Sequence, residues 1–270
     1  MKVYLKVTVS PISQEASEIL MAQLAEIGFY AFEESEKTLA GYIIKADYNA
    51  ADFMSSLPEK TGFIVEELAD RNWNQLWEAD FKPVVVDDFV GIRAGFHPGL
   101  SGVLHEIVIT PKMSFGTGHH ATTEMMVRLM REVDFIGKKV VDFGTGTGVL
   151  SILAAMRGAS SVYAVDNDEW SIDNAVENIQ HNNCKSVEVH LAADLAEAPA
   201  SDIILANINL NVLLAHASEI GDKMLPSGII ILSGVLETDE ERLVSSFENE
   251  GFSPIRKINK GGWMALMMKK

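Results

Sequence analysis

Val140-Val141-Asp142-Phe143-Gly144-Thr145-Gly146-Thr147-Gly148 decides the reading of this chain. A short apolar run ends in three glycines on alternate positions. The run reads as a buried parallel strand. Val149, Ile152, Leu153 and Met156 follow at helical spacing, and Gly158 marks a stop. Strand, glycine turn and helix together open a nucleotide-binding α/β unit. Glycine gives the turn access to φ > 0 and lets a ligand approach the main chain. The next strand, Tyr163-Ala164-Val165-Asp166, ends in an acid. A carboxylate at that place accepts hydrogen bonds from ribose hydroxyls.

The nucleotide is narrowed by the glycine spacing. A dinucleotide fingerprint has glycines at its first, third and sixth places. Here Gly144, Gly146 and Gly148 occupy the first, third and fifth, and Val149 the sixth. That misses the pyrophosphate pattern. It resembles the first motif of class I S-adenosylmethionine-dependent methyltransferases, whose ligand has a ribose and no phosphate. A structural turn in an α/β sheet and a nicotinamide dehydrogenase stay open as alternatives on these residues alone.

Composition sets the outer bounds. The chain has 270 residues, room for two domains. No apolar run is long enough to span a bilayer, so no membrane association is expected. The opening Met1-Lys2-Val3-Tyr4-Leu5-Lys6-Val7 alternates like a strand, unlike a signal peptide. The single cysteine, Cys184, excludes an internal disulfide and fits the reducing cytoplasm. A formal net charge of −16 repels phosphate backbones and attracts a basic protein. Nucleic acid is therefore not expected as a direct partner. The same charge also serves plain solubility.

The expected architecture is a class I methyltransferase Rossmann-like α/β sheet with a small amino-terminal α+β domain. Residues 1–69 form the small domain, 70–82 a linker, and 83–270 the α/β domain. In the first, Val3, Leu5, Val7 and Val9 alternate as a half-buried strand. Ala16, Ile19, Leu20, Leu24 and Ile27 make a helix face ended by Gly28. Phe29–Glu33 and Leu39–Ala46 read as strands, Ala50–Leu57 as a short helix, and Gly62–Leu68 as a last strand. The order βαββαβ is ferredoxin-like. In the linker, Trp73 and Trp77 lie four apart on one side of a helix. Beyond it, Phe81–Val86, Val90–Arg93 and Glu106–Thr110 read as short strands. Lys139–Phe143, Ser161–Val165, Val187–Leu191, Asp202–Ala206 and Gly228–Ser233 are the core strands. Ile172, Ala175, Val176 and Ile179 are the expected inner stripe of the helix after Asp166. Pro254–Lys257 and Trp263–Met268 resemble the closing antiparallel pair of a methyltransferase sheet.

Two further stretches bear chemistry. Phe115-Gly116-Thr117-Gly118-His119-His120-Ala121-Thr122-Thr123 packs glycines, histidines and threonines into one run. The threonines are placed to cap a helix carrying Met126, Leu129 and Met130. The run reads either as a capped turn or as a flap over a cofactor. No metal is expected, because His119 and His120 lack a third ligand. Leu205-Ala206-Asn207-Ile208-Asn209-Leu210 ends the fourth core strand. Open α/β sheets bind ligands at the carboxyl ends of their strands. An asparagine there accepts through its side-chain oxygen and donates through its amide, though Asn207 also suits a turn.

Together these stretches resemble the bacterial PrmA family, methyltransferases of large-subunit ribosomal protein eleven. The resemblance covers essentially the whole chain. It rests on Asn72-Trp73-Asn74 with Trp77-Glu78, on the Phe115–Thr123 run, on the glycine motif with Asp166, and on Asn207-Ile208-Asn209. It implies S-adenosyl-L-methionine as cofactor and the basic ribosomal protein as partner, bound by the first domain of a monomer. It implies lysine side-chain amines and the α-amine as acceptors. It places Thr123, Gly144, Gly146, Asp166 and Asn207 at the cofactor, with Phe115, Gly116 and His120 in the flap, and makes Asn207 the catalytic residue.

An activated sulfonium needs no covalent enzyme intermediate. A lysine with pKa about 10.4 is roughly one part in a thousand neutral near pH 7.4, a cost of about 4 kcal/mol if the neutral amine attacks. Desolvation lowers that pKa, and alignment supplies most of the remaining acceleration. No compelling general base stands out; His120 is a candidate, but protons can leave to water before the attack. Three other readings compete. A dehydrogenase needs its third glycine elsewhere. A nucleic-acid amino-methyltransferase commonly carries Asn-Pro-Pro-aromatic where this chain has Asn207-Ile208-Asn209. A non-catalytic ribosome-binding module leaves the glycine motif unexplained. Another basic protein or a small molecule is the alternative methyl acceptor.

Overall fold

A computed structural model describes residues 4–13, 16–17, 20–21, 23–24, 27–29, 31–35, 37–58, 61–68, 82–111 and 120–270. The chain forms two compact units, Met1–Asp80 and Phe81–Lys270. Trp73, Trp77, Phe81, and the stretch 112–119 with Phe115, Gly116 and His119 lie outside the described residues.

The first unit follows from period-two burial. In β1 (Tyr4–Ser10), Leu5, Val7 and Val9 are buried. β2 (Ala31–Ser35), β3 (Thr38–Ile44) and β4 (Gly62–Leu68) complete an antiparallel sheet of order β2-β3-β1-β4. That order is ferredoxin-like. α1 (Ala50–Ser56) starts at Asn49, whose side chain accepts from the Ala51 N–H. Phe29, expected to open the second strand, lies before it. Its ring instead joins Phe53 and Tyr48 in the core, at 6.0 and 6.4 Å between centroids. Gly28 at φ +98° turns the chain into that packing.

The second unit opens with β5 (Val84–Val86), β6 (Val90–Ala94) and β7 (His105–Ile109), a three-stranded sheet. β6 and β7 run parallel and are cross-linked by Arg93, which grips Glu106 with two hydrogen bonds of 2.9 and 3.1 Å. The large sheet has β8 (Lys139–Phe143), β9 (Ser161–Asp166), β10 (Val187–Leu191), β11 (Ser201–Asn207), β12 (Met224–Leu236), β13 (Ser253–Lys260) and β14 (Trp263–Lys269). Its order is β10-β9-β8-β11-β12-β14-β13, parallel through β12 and antiparallel at the closing pair. The connections turn outward in opposite directions from β8 and β11, leaving a crevice at their carboxyl ends.

Alternate residues feed two cores. Val140, Ile203, Leu205 and Ile231 face α2 (Ala121–Arg131), α3 (Val149–Met156) and α4 (Glu169–His181). Val141, Phe143, Ile204, Ala206 and Ile230 face α5 (Leu210–Ala215), α6 (Ala217–Lys223) and α7 (Glu240–Asn249). No helix among the described residues is long and apolar enough to cross a membrane.

The stripe expected on α4 is corrected. Val176 is exposed and Ile172 only half-buried, whereas Asn174 and Asn178 are buried beside Ala175 and Ile179. Hydropathy alone misplaced the inner face because this face is built from hydrogen bonds to neighbouring main chain. Ala175 lies within ordinary contact of Gly148, 3.4 Å from where a Cβ would stand. Val176→Lys should therefore shift stability by less than about 0.5 kcal/mol. Ala175→Leu should cost about 1–3 kcal/mol by overpacking. Urea unfolding of the two variants separates them.

Candidate active site

The glycine turn is organised from below by Asp142. This acid sits in the apolar strand β8 and is fully buried. Its Oδ2 accepts from the hydroxyls of Thr145 at 2.8 Å and Ser151 at 2.6 Å. One carboxyl thereby holds the turn and the first coil of α3 together. Burial pushes its pKa up to about 6, opposed by the two hydroxyl donors. Gly144, Gly146 and Gly148 all have positive φ, at 79°, 54° and 80°. The Gly144 and Thr145 N–H groups donate to the Val165 carbonyl, at 2.8 and 3.0 Å, tying the turn to β9.

Asp166 ends β9 beside that turn. Its Oδ2 accepts from the Gly146 N–H at 2.9 Å and its Oδ1 from the Asp168 N–H at 3.1 Å. Each oxygen keeps a further lone pair, so the carboxylate can still accept from a diol. Asp168 caps α4 through the Ser171 N–H.

Asn207 ends β11 and is 9% exposed. Its Nδ2 donates to Thr123 Oγ1 at 3.4 Å, and its Oδ1 is buried with no hydrogen-bond partner. A buried acceptor left open is costly unless a ligand supplies a donor. Asn209 does different work: it caps α5, accepting from the Val212 N–H at 3.1 Å.

The peptide after Asn207 is clamped. A Cβ on Gly144 would come under 3.0 Å from Ile208 Cγ2, and one on Gly234 would come equally close to the Ile208 main chain. Gly234 has φ +84° and lies where the β12–β14 register shifts. It has no place among the sequence-expected site residues. Its signal in the sequence is a glycine interrupting the apolar run of β12.

The threonines do not cap α2. His120 does, its Nδ1 accepting from the Thr122 N–H at 3.3 Å and lying 2.8 Å from Thr122 Oγ1. Thr122 and Thr123 are buried within the first turn. The His120 ring stands edge-on to Trp263, 4.9 Å between centroids.

These elements enclose a cleft of about 450 Å³, within the range of small-ligand sites. His120, Gly144, Gly146, Asp166 and Asn207 line it, and Phe143, Ala192, Ala193, Val212, Gly234 and Trp263 add walls that the sequence did not single out. Thr123 lines a small adjoining space with Gly144 and Asn207. Phe115 and Gly116 fall outside the described residues.

The family model described as Ribosomal protein L11 methyltransferase (PrmA) matches residues 8–270. The chain belongs to the PrmA family. A ribosomal protein L11 methyltransferase from Porphyromonas gingivalis is 37% identical over 262 residues, 94% of this chain and 90% of that protein. One from Phocaeicola vulgatus is 36% identical over 274 residues, 97% and 98% of the two. The crystal structure of ribosomal protein L11 methylase from Lactobacillus delbrueckii subsp. bulgaricus shares the fold, with a TM-score of 0.65 at 24% identity, covering 70% of this chain and 98% of that one. The methyl donor of this PrmA protein is S-adenosyl-L-methionine. The cleft suits it: a nucleoside-sized space, an acid with open lone pairs, and one orphaned acceptor.

Two outcomes check this geometry. Asp142 binds a proton more readily folded than unfolded, so its contribution is fully present below about pH 4 and is lost as pH rises through about 6. Asp142→Asn should abolish that dependence. The stability of the original chain relative to the variant should fall by roughly 3 kcal/mol between pH 4 and pH 7, measured by denaturant unfolding. Gly234→Ala should force the Asn207–Ile208 peptide to move, costing about 2–4 kcal/mol of stability. A calorimetric melt beside a cofactor titration reads both losses.

Proposed function

We propose that this PrmA protein transfers methyl groups from S-adenosyl-L-methionine to lysine side chains and the α-amine of ribosomal protein L11. The observation that carries the chemistry is the buried, unpartnered Oδ1 of Asn207 on the floor of the cleft. The methylation target rests on the family.

Asp166 would hold the ribose hydroxyls, Gly144 and Gly146 would let the ligand reach the main chain, and Thr123 would steady Asn207. Residues 115 and 116 join this assignment by the sequence pattern alone. When bound, the sulfonium supplies an activated methyl group. Asn207 Oδ1 accepts an N–H from the incoming amine and turns its lone pair toward the carbon under attack. Phe143, Val212 and Trp263 exclude water and favour the neutral amine by desolvation. Its proton leaves to water before the attack, so no protein base is required. His120 is poorly suited to that task because its Nδ1 is committed to capping α2. Alignment of amine and methyl carbon carries most of the acceleration.

The first unit has its own core and supplies recognition of the protein substrate. Joining it to the second unit raises the effective concentration of the acceptor amines. The net charge of −16 favours a basic protein over nucleic acid. The enzyme acts as a monomer in the cytoplasm.

Incubation of purified ribosomal proteins with the enzyme and labelled S-adenosylmethionine, followed by mass spectrometry, should place label on L11. Label confined to other proteins would overturn the target. Asn207→Ala should lower kcat about tenfold to a hundredfold, as for a lost hydrogen bond to a group that gains charge. Unchanged kcat in a folded variant would remove Asn207 from the mechanism.

A further inference from the structure

Asn174, Asn178 and Asn182 recur every fourth residue along α4 and its C-cap. Asparagine is a poor residue for a helix interior, because its amide competes for the backbone. Three in one column, two of them fully buried, call for partners. Four residues of helix rise about 6 Å. Two residues of strand rise about 6.6 Å. A column of amides at that spacing can therefore meet alternate residues of a strand.

Strand β7 and the residue after it meet that column. Asn182 Oδ1 accepts from the Val108 N–H at 2.9 Å, and its Nδ2 donates to the Val108 carbonyl at 2.6 Å. Asn178 Oδ1 accepts from the Thr110 N–H at 2.7 Å. Asn174 Nδ2 reaches the Thr110 carbonyl at 3.4 Å. Asn178 makes two bonds beyond this pairing. Its Nδ2 donates to Asn174 Oδ1 at 2.7 Å and to the Thr147 carbonyl, inside the glycine turn, at 2.8 Å. One fully buried amide thus fastens Thr110, where the chain leaves β7, to the turn that lines the cleft.

We propose that Asn178 is a positioning residue for the cofactor: through its Thr147 and Thr110 bonds it sets the place of the glycine turn relative to β7. The inference rests on the reading of the cleft as the S-adenosylmethionine site. Asn178 does not itself line the main cleft. It acts through Thr147, which shares the small adjoining space with Thr123, Gly144 and Asn207. Asn182 belongs to the same column and makes comparable bonds, but none to the turn. It is the natural comparator, since loss of packing or of helix-to-strand pairing affects both and loss of turn placement only Asn178.

The test is calorimetric titration of the full chain with S-adenosylmethionine, beside thermal melts. Asn178→Ser and Asn182→Ser should both lower the melting temperature. Asn178→Ser should weaken cofactor binding about tenfold, as expected when a hydrogen bond of ordinary strength is lost, and Asn182→Ser should leave it within twofold. In steady state, Asn178→Ser should raise KM for the cofactor more than it lowers kcat. Equal changes in affinity for the two variants, or an Asn178→Ser affinity within twofold of the original, overturn the inference. If Asn178→Ser does not fold, Asn174→Ser, which removes the acceptor that orients the Asn178 amide together with a long bond to the Thr110 carbonyl, takes its place. Weakening beyond twofold then supports the inference and anything less overturns it. Failure of the unsubstituted chain to bind S-adenosylmethionine would instead overturn the cofactor reading itself.

Discussion

Ile208 occupies a gap left by two glycines. Gly144, just after β8, makes room for its side chain, and Gly234, at the bulge of β12, for its main chain. Both have positive φ, so each is a glycine on conformational grounds as well as steric ones. The ends of three strands meet at this one residue. Asn207, just before it, inherits its direction from the gap and holds an acceptor open in a place that water does not reach. The cleft is therefore a product of absent side chains as much as of present ones.

Asp142 carries the complementary constraint. A carboxyl in the middle of an apolar strand is expensive to bury, and here it is repaid by two hydroxyls of the following turn and helix. The pair of bonds converts a flexible glycine-rich stretch into a shaped one. Asp166 then continues the chain of bonds by accepting from Gly146. Two acids thus define the turn, one from inside the sheet and one from its rim, and only the second retains lone pairs open to a ligand.

Much of this was legible from residues alone, for physical reasons. β8 and β10 fall at the bounds that their apolar runs suggest, β9 runs one residue past its own, and β11 one residue past at each end. β12 extends beyond the run from Gly228 to Ser233 at both ends: Met224 pairs with Ser201 of β11, and Val235 and Leu236 pair with Met264 and Trp263 of β14 past the bulge. Three errors share one origin. Val176, the start of β2 at Phe29 and the silence about Gly234 all concern positions where hydrogen bonds or sterics between distant segments outvote local pattern. The threonine caps fail locally, because His120 takes that place. A buried asparagine reads as polar, hence exposed, until its partners are known. A histidine reads as chemistry until it is seen capping a helix. Gly234 is required by a residue far away in sequence, and periodicity carries no trace of that.

The asparagine column has a consequence for association. A strand with one side unpaired displays free N–H and C=O groups and invites a strand from another molecule. Along β7 the amides of α4 occupy alternate positions of that side, at Val108 and Thr110. A helix, which has no free main-chain groups along its flank, thereby seals a sheet margin that would otherwise template aggregation. The β13 margin of the large sheet uses another device: that strand bears Pro254, Arg256, Lys257 and Lys260, with the three cations paired to Glu132 at the α2 C-cap, Glu240 on α7 and Glu124 on α2. Among the described residues, the small three-stranded sheet thus ends at a strand whose main chain is satisfied by side chains instead of by another strand.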